Sequence, residues 1–491
     1  MTARRVIVVG AGNAALCAAL AARERGAEVV VFERAPYRLR GGNTAFTAGA
    51  MRVAYEGVDD LRRLMPELSD DEVANTDFGS YPVQAFLDDM ARVTEYRTDP
   101  ELAATLVEES FPTLLWMRSK GVRFLPIYGR QAFKVDGRFT FWGGLTIEVS
   151  GGGPGLVDCL STSCERDGVK IEYGARVLSL LQDDAGIHGV LVRQDAKTRS
   201  EPADAVVLAC GGFQANTEWR TRYLGVSWDL AKVRGTRYDT GDGIKMALDA
   251  GASPAGNWSG CHAVGWDRNA PEFGDLTVGD GFQKHSYPFA IMVNANGKRF
   301  VDEGADFRNY TYAKYGRRIL EQPGQFAWQI FDQKTVHLQR DEYRIRQVTK
   351  VTADTLEELA GKLEGVEPAG FLQEVAAYNE AVEVDTPFNP NVKDGRGTKG
   401  LAVNKTNWAN RIDEGPFEAF AVTCGITFTF GGLRINQNAE VLDTDLAPMP
   451  GLYAAGELTG GIFYFNYPGG TGLTNGSVYG RIAGYRAASG S

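Results

Sequence analysis

Residues 4–35, RRVIVVGAGNAALCAALAARERGAEVVVFERA, limit what this chain can fold into more than any other stretch. Val6–Val9 is an apolar, β-branched run suited to a parallel strand buried on both faces. Gly10-Ala11-Gly12-Asn13-Ala14-Ala15 is a GxGxxA turn that opens an alanine-rich helix to about Arg25. Gly26 ends the helix and Glu28–Phe32 forms a second strand. Glu33 sits at that strand's tip, where this kind of unit carries its distal acid. Gly10 permits a tight turn, Gly12 lets backbone approach a pyrophosphate at the positive helix end, and Glu33 can accept from a ribose. Asn13, Ala14 and Arg34 fall within the same cradle. The reading is a dinucleotide site.

The uncharged run VIVVGAGNAALCAALAA, from Val6 to Ala22, is shorter than the roughly 20 residues a membrane span needs. Gly10, Gly12 and Asn13 also interrupt it. The expectation is a buried strand–turn–helix in a cytoplasmic protein. A net charge of −10, from 52 basic and 62 acidic residues, speaks against nucleic acid or an anionic membrane as main partner. The six cysteines show no CxxC spacing and the four histidines are dispersed, so no metal or iron–sulfur centre is expected.

Four further glycine fragments decide which dinucleotide. RGGNTAFTAGAMR (40–52) supplies Gly42, Asn43 and Thr44 where a nicotinamide enzyme runs into another helix. ADAVVLACGGFQAN (203–216) is a buried strand ending at Cys210, Gly211 and Gly212, and TRYDTGDGIKMALDAGA (236–252) is a glycine turn opening a helix at Asp242. GLYAAGELTGG (451–461) ends a strand at Gly456-Glu457, and the following YPGGTGLTNGSVYGRIAG carries Gly472, Leu473 and Thr474. One extended cofactor lying across a sheet, FAD, accounts for all of them, with Val177 of the intervening β segment also against it. VKIEYGARVLSLLQDDAGIHGVLVRQD (169–195) reads as a small antiparallel meander. A helix-like stretch runs from about Leu356 to Val384. The architecture expected is α/β: a discontinuous Rossmann-like FAD-binding domain (1–255 and 421–491) with an inserted α+β cap (256–420), and the active site in the cleft between them.

With these fragments in place, the chain resembles the fumarate reductase/succinate dehydrogenase flavoprotein superfamily. The landmarks are VIVVGAGNAAL, RGGNT, ACGGF, TGDGIKMA, IMVNANGKRFVDE, FGGLRIN, PGLYAAGELTGG and GRIAGYRAA. NWSGCHAV, FVDEGADFRNYTYAKYG and FYFNYPGGTGLTNG are similar to the tricarballylate dehydrogenase branch, which converts a saturated tricarboxylate to cis-aconitate. The resemblance implies an FAD-dependent oxidoreductase acting on CH–CH bonds. Arg308 matches the arginine that exchanges a proton with one substrate carbon while flavin N5 exchanges hydride with its neighbour. A guanidinium pKa above about 12 makes a poor base unless burial or other cations depress it. The family supplies a charged relay for this; here Gln283 and Ser286 stand where its acid and second arginine are expected, with Lys284 and His285 as substitutes.

Two departures bear on substrate. TFTFGG places Thr427 and Phe428 near a position where fumarate reductases carry histidine, and NYPGG has Tyr467 in place of a carboxylate-clamping arginine. Fumarate and succinate are therefore not expected as substrates. YPGG is also similar to 3-ketosteroid dehydrogenases, which gives an alternative: desaturation (or enoate reduction) beside a ketone, with Tyr467 assisting. His262 and His285 are candidate substrate contacts, and Arg299 is expected to anchor its strand. No histidine precedes His188, so FAD is expected to be bound non-covalently. The resemblance implies reoxidation by a separate acceptor, a quinone or an iron–sulfur membrane protein, and membrane association only through that partner. A pure electron-carrying flavin subunit is disfavoured by the cap, which costs a carrier access to its flavin.

Overall fold

A computed structural model describes residues 3–490. The strand Arg5–Val9 is the centre of a six-stranded sheet whose order is 440–442, 448–454, 205–208, 5–9, 28–33, 170–173. The pairs around Arg5–Val9 are parallel, with Val6 opposite both Ala205 and Val29. Continuous apolar runs such as VIVV and AVVL suit strands covered on both faces. The helix Asn13–Glu24 covers one face, and its residues 15–22 are essentially inaccessible.

The long helix Thr471–Ser489 lies against that first helix at glycine notches. A Cβ on Gly480 would come within 2.3 Å of the Ala14 carbonyl oxygen, and one on Gly484 within 2.1 Å of that of Ala18. The two helices thus approach at backbone contact, which only glycine at these positions allows.

The meander forms from Arg176–Asp183, Gly186–Gln194 and Lys197–Pro202, whereas Lys170–Tyr173 joins the parallel sheet instead. A second sheet is built on the 17-residue strand Phe417–Leu433. It pairs with Pro254–Asp267, Phe326–Phe331, Lys350–Ala353 and Lys232–Val233. The expected junctions at 255/256 and 420/421 fall inside the two long strands, so flavin-side and cap-side residues share one sheet. The helical stretch after Leu356 is two helices, Leu356–Lys362 and Pro368–Ala381. Gly365 turns left-handed between them (φ 82°) and Pro368 begins the second. Among the described residues, no helix is long and apolar enough to cross a membrane.

Candidate active site

An elongated cavity runs from Gly10–Ala14 and Glu33–Ala35, past Asn43, Val177 and Gly456, to Arg308, His262 and Tyr467. Its first half is a cradle of backbone. Gly10 adopts φ 106°, and a Cβ there would sit 2.5 Å from the Ala209 carbonyl oxygen. Gly42, at φ 52°, has no atom within 4 Å of where a Cβ would be and presents bare backbone to the cavity. The N-termini of the helices Asn13–Glu24 and Thr471–Ser489 both open onto it. Asn13 joins them, its amide donating to the Leu473 carbonyl (2.8 Å) and Ser477 Oγ (2.9 Å), while its backbone N–H donates to Thr44 Oγ1 (3.0 Å).

Glu33 accepts from the backbone N–H groups of Ala11 (2.8 Å) and Ala35 (2.7 Å), one per carboxylate oxygen. Each oxygen keeps a lone-pair site for a ribose hydroxyl. Arg34 donates to Thr240 Oγ1 (2.6 Å) and pairs with Asp242 (3.0 Å), which Arg176 also holds (2.8 Å). Further along, Gln214 Nε2 bridges Asp239 (2.7 Å) and Glu457 (3.3 Å). Burial, then mutual repulsion among Glu33, Asp239 and Glu457, pushes the Asp239 carboxyl up to about 8 and Glu457 well above the usual carboxylate range. The buried Asn475 Oδ1, also on the cavity wall, has no partner. A dinucleotide cradle, two helix N-termini, acids placed for hydroxyls and an unclaimed acceptor together fit FAD.

Most sequence-expected cofactor residues line this cavity: Gly10, Gly12, Asn13, Ala14, Glu33, Arg34, Gly42, Asn43, Thr44, Val177, Cys210, Gly211, Asp242, Gly456, Glu457, Gly472 and Leu473. Gly212 and Thr474 do not. A Cβ at Gly212 would meet Glu457 Oε1 at 2.2 Å and Thr429 Oγ1 at 2.4 Å, so this glycine makes room for two side chains that line the cavity. Thr474 turns back to donate to the Arg52 carbonyl (2.7 Å), and its helical neighbours Leu473, Asn475 and Gly476 face the cavity instead. His188 lies on the meander with its side chain 49% exposed, outside this wall.

At the other end, Arg308 opens a short 3-10 turn and is buried. The acids that crowd it in sequence are occupied elsewhere. Glu303 holds Arg299 (Nε, 3.1 Å) and the Met292 N–H (2.7 Å), Asp306 pairs with Arg92 (2.8 Å), and Asp302 accepts from Gly304 and Thr406 N–H. Arg299 thus anchors its strand. Arg308 donates to the Arg130 carbonyl and is left facing the cavity. Burial, reinforced by the Arg130 charge against the pull of Glu342, lowers its proton affinity.

The charged surroundings of Arg308 differ from the relay expected in FQKHSYPFA. Lys284 points into the core, where its ammonium donates to the carbonyls of Gly281, Phe282, Gln283 and Glu342 at 3.0–3.2 Å. Its neighbours in this irregular segment, Gln283 and His285, face the cavity instead. Ser286 Oγ accepts from the Arg340 N–H (3.0 Å). The charges come from Arg130, Arg340 and Glu342. Arg340 is pushed down to about 9 by burial and by Arg308, and Glu342 Oε1 is buried without a hydrogen bond.

His262 is boxed by Tyr312, Tyr467 and Phe428, with ring centroids 4.9, 4.9 and 5.2 Å away, and neither of its nitrogens has a partner. His285 stacks edge-on to Tyr312 at 4.9 Å. Burial first, then Arg234 for His262 and Arg308 for His285, holds both well below the usual imidazole range, so both are neutral. The hydroxyls of Tyr467 and Tyr312 contact each other. Thr427 Oγ1 accepts from Arg234 (3.2 Å). Arg130, Arg234, Asp239, Asp280 and Asn475 escaped sequence reading. Arg130, Arg234 and Asp280 lie outside the glycine fragments and are brought here by three-dimensional convergence, whereas Asp239 and Asn475 sit inside two of those fragments beside the residues singled out.

Among known proteins, an FAD binding domain family matches residues 5–473. A probable fumarate reductase of Shewanella frigidimarina is 31% identical over 498 residues, covering 99% of this chain and 74% of that protein. The open conformation of a flavocytochrome c3 fumarate reductase superposes with a TM-score of 0.72 at 28% identity, covering 99% of this chain and 78% of that one. A 3-ketosteroid Δ1-dehydrogenase from Sterolibacterium denitrificans shares the fold, with a TM-score of 0.76 at 21% identity and complete coverage of both chains. The chain belongs to the fumarate reductase/succinate dehydrogenase flavoprotein superfamily, FAD-dependent oxidoreductases acting on CH–CH bonds.

Proposed function

We propose that this flavoenzyme introduces a C=C bond beside a carboxylate, converting tricarballylate to cis-aconitate. Non-covalent FAD, held by the Gly10–Ala14 turn, Glu33 and the start of the helix Thr471–Ser489, would supply the acceptor for the two electrons leaving one substrate carbon as hydride. Arg308 takes the proton from the adjacent carbon, and the substrate's C–C bond gains the second pair. Arg130 and burial make the guanidinium a better base than it is in water, which is what a proton acceptor at this position needs. The neutral His262 and His285, with Phe428 and Tyr467, form a dry wall that shields the reacting carbons. The observation that carries the reading is Arg308 itself, buried, free of the acids beside it in sequence, and facing the cavity that also holds the cofactor cradle. Reoxidation is assigned to a separate quinone or iron–sulfur partner.

One observation favours a second reading. The Tyr467–Tyr312 hydroxyl contact in the cavity is a donor pair suited to polarising a ketone. Anaerobic bleaching of the flavin near 450 nm by tricarballylate, succinate and a 3-ketosteroid separates the two. Bleaching by tricarballylate that is lost in Arg308→Ala supports the carboxylate reading. Bleaching by the steroid alone, sensitive to Tyr467→Phe and not to Arg308→Ala, overturns it.

A further inference from the structure

The substrate end of the cavity holds more positive charge than its own side chains neutralise. Among the described residues, three guanidinium groups line it, Arg130, Arg234 and Arg308, against the single carboxylate of Asp280, and both histidines are neutral. Asp280 is already committed. It takes Arg130 at both oxygens, 3.0 and 3.1 Å, and the Gln283 amide at 2.8 Å.

Arg234 is the guanidinium with donors to spare. Its backbone is fixed: it follows the short strand Lys232–Val233, parallel to 425–426, and its N–H donates to the Ile426 carbonyl (2.8 Å). The side chain is 7% exposed and flanks the Trp266 ring at 6.0 Å. One terminal nitrogen donates to Thr427 Oγ1, the other is 4.0 Å from Asp280, and Nε is buried with no partner. A buried cation held by one hydroxyl and a distant, shared carboxylate is costly unless a further anion arrives. A planar guanidinium with unclaimed N–H groups is shaped for a carboxylate. Tyr467 stands where the superfamily resemblance leads one to expect such a clamp, so here that charge enters from a different strand.

We propose that Arg234, set by Thr427, anchors a second substrate carboxylate, remote from the carbon that Arg308 deprotonates, and so makes this site selective for polycarboxylates over monocarboxylates and ketones. The inference rests on the carboxylate reading above and adds the residue that sets the substrate class. A carboxylate on Arg234 would balance the guanidinium that Asp280, already committed to Arg130, leaves uncompensated.

The test is a cycle of protein and ligand on the FAD-loaded protein, read as perturbation of the flavin absorbance under equilibrium binding. Propionate, succinate and tricarballylate present one, two and three carboxylates. Wild type is expected to bind tighter as carboxylates are added. In Arg234→Gln, one increment should vanish, with tricarballylate weakened on the order of 10–100-fold and propionate unchanged, as for loss of a hydrogen bond between charged groups. Arg234→Lys should recover part of the loss. If Arg234→Gln no longer retains FAD, Thr427→Val provides the reading, with a smaller loss confined to the same increment. Wild type that binds the carboxylates while both variants weaken all three ligands equally, or none, overturns this inference alone. Wild type indifferent to the number of carboxylates overturns the carboxylate reading itself.

Discussion

Glu33→Gln is the perturbation whose outcome the structure fixes most closely. Each Glu33 oxygen accepts one backbone N–H, from Ala11 at 2.8 Å and Ala35 at 2.7 Å, in a fully buried position. A glutamine of the same shape keeps one acceptor and turns an NH₂ toward the other backbone donor. One charge-assisted bond is lost and one buried N–H is left facing another donor, so the expected cost is about 2–4 kcal/mol. For a chain of 491 residues that is a fall in the apoprotein melting midpoint of about 2–4 °C. The holoprotein should lose roughly a further 1 kcal/mol of FAD affinity with the ribose acceptor. Differential scanning fluorimetry of apo and FAD-loaded protein, with a flavin titration for affinity, gives both numbers. Burial raises the proton affinity of Glu33, against the pull of the Ala35 and Ala11 N–H groups. An apo midpoint unchanged within about 1 °C at pH 8 would mean that the acid does not hold the turn as an ionised acceptor, and the reasoning would fail.

Two further outcomes follow from the cofactor cradle. Gly10→Ala combines φ 106° with a 2.5 Å approach to Ala209, whereas Gly42→Ala meets only a φ of 52° in open space. Flavin content after purification should collapse in the first and fall little in the second, and equal losses would refute the steric argument. Asp239 binds its proton more tightly folded than unfolded, so its contribution to stability is present below about pH 4 and is lost as pH rises through about 8. The apoprotein midpoint should therefore fall between pH 5 and 8, and Asp239→Asn should flatten that slope; a parallel profile in the variant would assign the slope to other groups.

The flavin half of the site was legible because its parts are contiguous. Strand, turn, helix and distal acid follow one another without interruption from Arg5 to Glu33, and each glycine has a backbone reason that composition alone exposes. Arg308 was legible as a residue but not as an environment. The acids beside it in sequence turned out to serve Arg299, Arg92 and Thr406, while burial and the cation of residue 130 depress it. Lys284 reads as facing a cleft because polar residues flank it, whereas its ammonium folds back onto three carbonyls of its own loop and that of Glu342, contacts no local pattern announces. Thr474 lies between residues that face the cavity, but its hydroxyl turns back to the Arg52 carbonyl, an acceptor 422 residues away in sequence. Arg234 carries no motif at all. Its meaning comes from the pairing of the strand before it with Phe417–Leu433, far along the chain.

The glycine-notched contact between the helices Asn13–Glu24 and Thr471–Ser489 also sets a timetable for synthesis. Asn13 meets its hydrogen-bond partner Leu473 across 460 residues of chain. At ribosomal rates of about 5–20 residues per second, the first helix waits roughly half a minute to a minute and a half for the surface that covers it. Throughout that interval its alanine face is a sticky, half-built groove. The early segment alone does not complete the cofactor cavity, since the N-terminus of the helix Thr471–Ser489 that lines it does not yet exist. Cofactor capture is therefore a late event in the life of the nascent chain, and the first β–α–β unit, though easiest to read in the sequence, is among the last parts of the fold to become locked.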